Sequence, residues 1–224
     1  MREIITLEIP TTWEDISLSK YLTLMNDIEN YRDDEEAQVA LMLTHLCGVE
    51  GTYLKSISKE SYDLLKYKLS AFITPEDIEL VKFVWIDGIE YGFEPNLSKI
   101  SYGAYADISQ YDTLTIDKNW AKIMSILYRP VTKKKGDRYE IASYEGEIDE
   151  TKWLNVGMNV HFGALFFFVR LQKDLLNATL NSLMETELPA SIKSILVKSG
   201  NLMQQSLNLR METSKRLTES PKSH

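Results

Sequence analysis

The sequence is poor in the side chains that most often do chemistry. It holds one cysteine and three histidines among 224 residues. A lone thiol, Cys47, allows no internal disulfide, and its place in an apolar helical stretch reads as a small core residue. A zinc-type centre has little to draw on. His45 and Cys47 are two positions apart and point to different sides of a helix, His224 is the last residue, and His161 sits in an apolar run, where it reads as a hydrogen-bonded core histidine. The chain has no Cys-x-x-Cys, His-Glu-x-x-His, Gly-x-Gly-x-x-Gly, Walker-type lysine loop or Gly-x-Ser-x-Gly. The ligand sets, phosphate cradles and nucleophile turns that those motifs encode are therefore lacking. The 33 acidic residues offer many carboxylate pairs, but nothing singles out two of them for hydrolytic work. No catalytic residue, metal or cofactor is expected, and an enzyme is the weak hypothesis.

Long apolar runs are also missing. A membrane-spanning helix needs about 20 consecutive apolar residues, and the greasiest run, Val160 to Leu171, is interrupted by His161 and Arg170. Met1 to Thr6 lack the basic start and long apolar stretch of a signal peptide. Positive charge is short too. A net charge of −8 disfavours a general role on nucleic acid or on an anionic membrane surface. Tyr128-Arg129 with Lys133-Lys134-Lys135-Gly136, an exposed basic loop by its composition, is too small a patch to reverse that.

What is present is a 44% apolar fraction, enough for a real core. Val156 to Met184 organises the rest. After Arg170 its apolar residues become one-sided: Leu171, Leu175, Leu176, Leu180, Leu183 and Met184 alternate with Gln172, Lys173, Asn177 and Asn181. That is a helical stripe. One long helix at about 157–184 follows, its first half surrounded by protein and its second half covered on one side.

Ahead of it, Glu3 to Ile9 alternates and is β-branched, so it reads as a strand. Ile16-Ser17 with Tyr21, Ile57-Ser58 with Tyr62, and Ile100-Ser101 with Tyr105 repeat one helix-start solution, a serine cap under an apolar staple. Helices are expected from Ser17 to Glu29, from the acidic opening Asp33-Asp34-Glu35-Glu36 to Gly48, from Ser58 to Ala71, from Ser101 to Tyr111 and from Ile116 to Tyr128, with Arg129-Pro130 as the break. Thr74-Pro75-Glu76-Asp77 is another start signal. Asp87-Gly88 between two aromatic, β-branched runs marks a hairpin at about 82–93, which the strand 3–9 can join. Tyr139 to Ala142 alternates as an edge strand, and Pro189 can open a last helix. The fold class is mainly α (α+β): a multi-helix bundle around the long helix. Residues 1–208 read as one mainly helical domain, with a subdivision near 81/82 left open, and 209–224 as a polar, flexible tail.

Three stretches together carry a resemblance. They are Ile9-Pro10-Thr11-Thr12-Trp13-Glu14-Asp15-Ile16-Ser17-Leu18-Ser19-Lys20-Tyr21; Ile86 to Pro95 leading into Ile100 to Tyr105; and Met124 to Val131, followed by Gly163 to Val169. Over residues 9 to 184 the chain resembles small proteins of tailed bacteriophages, including crAss-like and other large-genome phages, that serve virion morphogenesis as tail-assembly chaperones or minor structural proteins. The resemblance implies a non-enzymatic assembly protein in the host cytoplasm, acting on other virion or tail-assembly proteins, with a connector, ring or cargo component as the alternative role. Homo-oligomerisation stays open, and a host-interaction or regulatory protein is the rival from another class. The expected docking arm is the C-terminal segment with Leu202, Met203, Leu207, Arg210, Lys215 and Arg216, in a helix-in-groove or strand-addition mode.

Overall fold

Three helices begin as their serines dictate. In a computed structural model of the chain, which describes residues 7–70 and 78–185, the Ser17, Ser58 and Ser101 hydroxyls accept hydrogen bonds from the backbone N–H groups of Lys20, Ser61 and Ala104 at 3.4, 3.2 and 3.3 Å. Each satisfies a donor that the first turn leaves unpaired. These caps open α1 (Leu18–Ile28), α3 (Lys59–Ser70) and α4 (Tyr102–Ile108). Between α1 and α3, α2 (Glu35–Cys47) is capped by Asp34, whose carboxylate accepts from the Ala37 N–H at 3.0 Å. The four acids of that opening do not converge. Asp34 serves the cap and Glu35 reaches Lys66 of α3 at 2.6 Å.

The hairpin forms as Asp87-Gly88 requires. β1 (Phe83–Ile86) and β2 (Ile89–Phe93) are joined through φ of 50° at Asp87 and 78° at Gly88, the positive angles of a two-residue turn whose twist matches the flanking strands. α5 is shorter than the apolar pattern promises, Trp120–Leu127. Asp117 accepts from the Asn119 N–H at 2.7 Å and holds the preceding residues in a turn.

The strand expected at 3–9 falls mostly outside the described residues, which begin at Leu7, and Leu7 to Pro10 carry no regular structure. Among the described residues the strand that joins the hairpin is β3 (Tyr128–Lys135), antiparallel to β2 through Tyr91↔Pro130 and Phe93↔Tyr128. One expectation is corrected here: Lys133-Lys134-Lys135 is not loop but the end of β3, turning at Gly136 into β4 (Arg138–Ile141). Pro130 ends the helix as its missing N–H demands, yet its fixed φ suits an extended chain. Lys133 pairs with Glu140 at 2.9 Å, and Lys134 with Glu90 at 2.5 Å, its ammonium lying 3.6 Å from the centre of the Phe83 ring. The sheet runs β1-β2-β3-β4, all antiparallel. The edge strand expected at Tyr139 to Ala142 forms as β4, one residue earlier.

The long helix is α6 (Met158–Glu185). Its entry is pinned to α1's start by a two-way backbone exchange: the Leu18 N–H donates to the Val156 carbonyl at 3.1 Å, and the Met158 N–H to the Ile16 carbonyl at 2.8 Å. From Met158 to Val169 it is enclosed. Phe162 meets Trp13 and Tyr21 edge-on at 4.8 and 5.5 Å between ring centres, and Phe167 meets Phe93 of β2 at 5.2 Å. Gly163 is where other backbone crosses closest. A methyl there would lie 2.7 Å from the Glu79 carbonyl oxygen and 3.3 Å from the Leu80 Cα. Two tyrosines tie the sheet together from within: Tyr128 Oη of β3 donates to the Val81 carbonyl ahead of β1 at 2.7 Å, and Tyr139 Oη of β4 to the Phe93 carbonyl of β2 at 2.6 Å. Beyond Arg170 the enclosure opens. Leu171, Leu176 and Leu180 are half-buried, and Leu175 is exposed. The fold is mainly helical α+β around this helix, as expected.

Candidate binding surface

α4 carries two large exposed aromatic side chains on a short, anchored helix. Ser101 caps it, and Ala104 anchors it in the interior with no exposed area. Its other side carries Tyr102, 84% exposed, and Tyr105, 59% exposed. In the first two helix starts the tyrosine four positions on from the cap folds back onto the core: Tyr21 is buried and Tyr62 half-buried. In the third copy it does not. Ile100 is half-buried, and Tyr105 projects into solvent.

Beneath α4 lies Tyr144. Its ring sits 3.7 Å from where a side chain on Gly103 would begin, and its hydroxyl donates to the Asp107 carboxylate at 2.5 Å. Burial first, and then that hydrogen bond, push the Tyr144 phenol well above its ordinary value. Tyr144 therefore ties α4 to the segment after β4. The same ring lines a cleft of about 370 Å³, walled by Tyr91, Arg129, Trp153 and Lys152 and rimmed by Glu145, Glu147 and Asp149.

The two cations of this cleft are already engaged. Lys152 Nζ bonds Asp149 at 2.9 Å and the Tyr91 hydroxyl at 3.1 Å. Burial pulls its pKa down, but those two bonds outweigh it and the ammonium is held above its usual range. Asp149 is correspondingly lowered, chiefly by the Lys152 hydrogen bond. Arg129 pairs with Glu94, and the two side chains are only 11% and 10% exposed. Arg129 faces this cleft, while Glu94 faces a second hollow of about 590 Å³ bounded by Leu80, Arg138, Tyr139 and Phe167. Glu145 and Glu147 at the rim are exposed. With its cations neutralised within the protein, the cleft presents net negative charge beside an aromatic ridge.

The residues singled out from the sequence fare differently. Leu202, Met203, Leu207, Arg210, Lys215 and Arg216 lie outside the described residues, as do Thr74 to Asp77 and Pro189. His45 pairs with Asp27 at 2.8 Å, and Cys47 is half-buried, its thiol raised mainly by burial. His161 is completely buried, but the hydrogen bonds expected of it are not there. Neither ring nitrogen reaches a partner with proper geometry. The backbone of Trp153 and Val156 faces the ring and favours its charged form only weakly. Desolvation dominates and pulls the pKa down to about 4. With no solvent access, the ring is in no position to bind a metal or act as a base on a substrate. Among the described residues, no group of three or more His, Cys, Asp or Glu side chains gathers as a metal site, and no helix is long and apolar enough to cross a membrane. Sequence reasoning missed Tyr102, Tyr105 and Tyr144 as a unit. The available signal was Gly103, a poor helix former between two tyrosines.

Fold and surface together define a mainly helical α+β protein with an aromatic ridge next to an acidic cleft. No family model, no curated protein and no solved structure matches this chain.

Proposed function

We propose that this chain is a non-enzymatic assembly protein of a tailed phage, binding other virion or tail-assembly proteins in the host cytoplasm. The observation that carries the reading is the α4 ridge. Tyr102 and Tyr105 are large amphipathic side chains on a capped, anchored helix, so little further entropy is lost when a partner covers them. Such pre-positioned aromatics are the usual energetic centre of an interface. The exposed Glu145 and Glu147 of the rim add the charge of the complement: a partner face with an apolar pocket and basic surroundings. The phage setting rests on the resemblance of residues 9 to 184.

Two measurements test the proposal. A Tyr102→Ala, Tyr105→Ala chain, folded like the parent, is expected to lose phage-protein partners in pull-downs from infected cells. Retention of every partner counts against the ridge. Mass spectrometry of purified particles then separates the roles: a tail-assembly chaperone is absent from the mature virion, and a connector, ring or cargo component is present in it.

A further inference from the structure

The two edges of the sheet are built in opposite ways. β4 reads Arg138-Tyr139-Glu140-Ile141 and lies beside the lysines of β3, so its free edge is studded with charge. Charged edges resist pairing with another strand. β1 reads Phe83-Val84-Trp85-Ile86 with no charge and no proline, and Trp85 is 68% exposed. Among the described residues no strand pairs with its outer side.

The register shows which groups that edge offers. The Phe93 N–H donates to the Lys82 carbonyl at 2.9 Å, and Val84 and Ile86 stand opposite Tyr91 and Ile89. Hydrogen-bonded pairs alternate along an antiparallel ladder. Lys82, Val84 and Ile86 therefore direct their backbone groups to β2, and Phe83 and Trp85 direct theirs outward. We propose that β1 pairs antiparallel with β1 of a second copy of this chain, across a two-fold axis at Val84, making one continuous eight-stranded sheet.

The occupant follows from the edge itself. A two-fold axis at Val84 sets Phe83 of one copy opposite Trp85 of the other, twice. All four outward-facing residues then become hydrogen-bonded pairs, each exchanging two bonds. A shift of the axis to Trp85 would place Phe83 against Asp87, which lies in the turn with φ of 50°. A shift to Phe83 would place Trp85 against Val81, ahead of the strand. Only the register at Val84 uses the outward groups of β1 and nothing else. It also sets Trp85 of one copy beside Phe83 of the other, whose ring packs on Tyr139 at 4.6 Å and under the Lys134 ammonium, so the exposed indole extends that aromatic face across the seam. Lys82 then lies opposite Ile86 of the other copy, at either end of the seam. This surface is separate from the α4 ridge, and its failure would leave the assembly reading untouched.

Sedimentation of the full chain over a range of concentrations is expected to show a reversible monomer–dimer equilibrium. Trp85→Lys is expected to weaken it more than about tenfold, with thermal unfolding of the dilute, monomeric chain unchanged, because the side chain is exposed and its backbone groups are not used by β2. In a Cys47→Ser chain, Val84→Cys is expected to form an intermolecular disulfide under mild oxidation. Position 84 meets itself only in the proposed register, at the short separation of a non-hydrogen-bonded pair. A chain that is monomeric at every concentration overturns the proposal. So does a dimer indifferent to Trp85→Lys, or a dimer in which Val84→Cys fails to cross-link. Should Trp85→Lys not fold, the parent's sedimentation and the Val84→Cys cross-link decide alone.

Discussion

Met158 to Val169 and Arg170 to Asn181 belong to one unbroken helix, yet they live in different surroundings. The first stretch has Phe162 between Trp13 and Tyr21, His161 fully buried, and Gly163 under the backbone of Glu79 and Leu80. The second has three half-buried leucines, with Leu175 exposed. Helical hydrogen bonding is the same in both, so the difference between them isolates what tertiary packing adds. In the first, residue identity is set by shape. In the second it is set by helix propensity and solubility.

The largest contrast is expected at Phe162. Phe162→Ala removes a ring packed on two others and leaves a cavity that the surrounding aromatics cannot close, at a cost of about 4 kcal/mol. Chemical denaturation of parent and variant measures it. A loss below about 1 kcal/mol would mean that the enclosed half is not well packed after all.

His161 gives the next effect, and it depends on pH. In the unfolded chain the imidazole takes up a proton near its ordinary 6.5, whereas in the folded chain it does so only near 4. Between those values the unfolded state binds more protons, so stability is full above about pH 6.5 and falls as the pH drops towards 4. The separation corresponds to a loss of about 3 kcal/mol. His161→Leu is expected to flatten this window and to raise stability at neutral pH, since two unsatisfied nitrogens disappear. Denaturation series at pH 7, 5.5 and 4 check both. An unchanged acid slope in the variant would assign the slope to other groups.

Gly163 comes third. Gly163→Ala favours the helix by about 1 kcal/mol through propensity, but the new methyl would press on the Glu79 carbonyl at 2.7 Å. Backbone cannot yield as a side-chain tip can, so a net loss of about 2 kcal/mol is expected. A gain in melting temperature would show that the crossing segment moves aside freely.

Much of this architecture was legible in the sequence because local rules and the fold agree there. The serine caps, the Asp-Gly turn and the apolar run of the long helix each announce themselves within a few residues. β3 does not. Pro130 and three lysines look like the end of structure, and only pairing with β2 and β4 makes them a strand, since β propensity is set by neighbours across the sheet. The missing partners of His161 were equally hidden. The groups facing the ring come from the turn that holds Trp153 and from Val156, and their alignment is a property of the assembled core. On the candidate binding surface, the staple pattern at Ile100 to Tyr105 matches the two earlier copies. Whether its tyrosine turns in or out depends on whether a neighbouring layer is there to receive it.

The smallest expected change is at Leu175, and it sharpens the comparison most. Leu175 shares the apolar stripe with Leu171 and Leu176, so its sequence position alone would rank it with Phe162 as a core residue. It is 59% exposed. Leu175→Ala removes little buried area, and alanine is at least as good a helix former, so stability should move by no more than about 0.5 kcal/mol. Equilibrium denaturation of the full chain resolves that from a core-sized loss. A cost near 2 kcal/mol would mean that this face of the helix is covered by a segment beyond the described residues or by another molecule. The division of α6 into a packed half and a solvated half would then be wrong, because a stripe repeated at helical spacing would be reporting burial along its whole length.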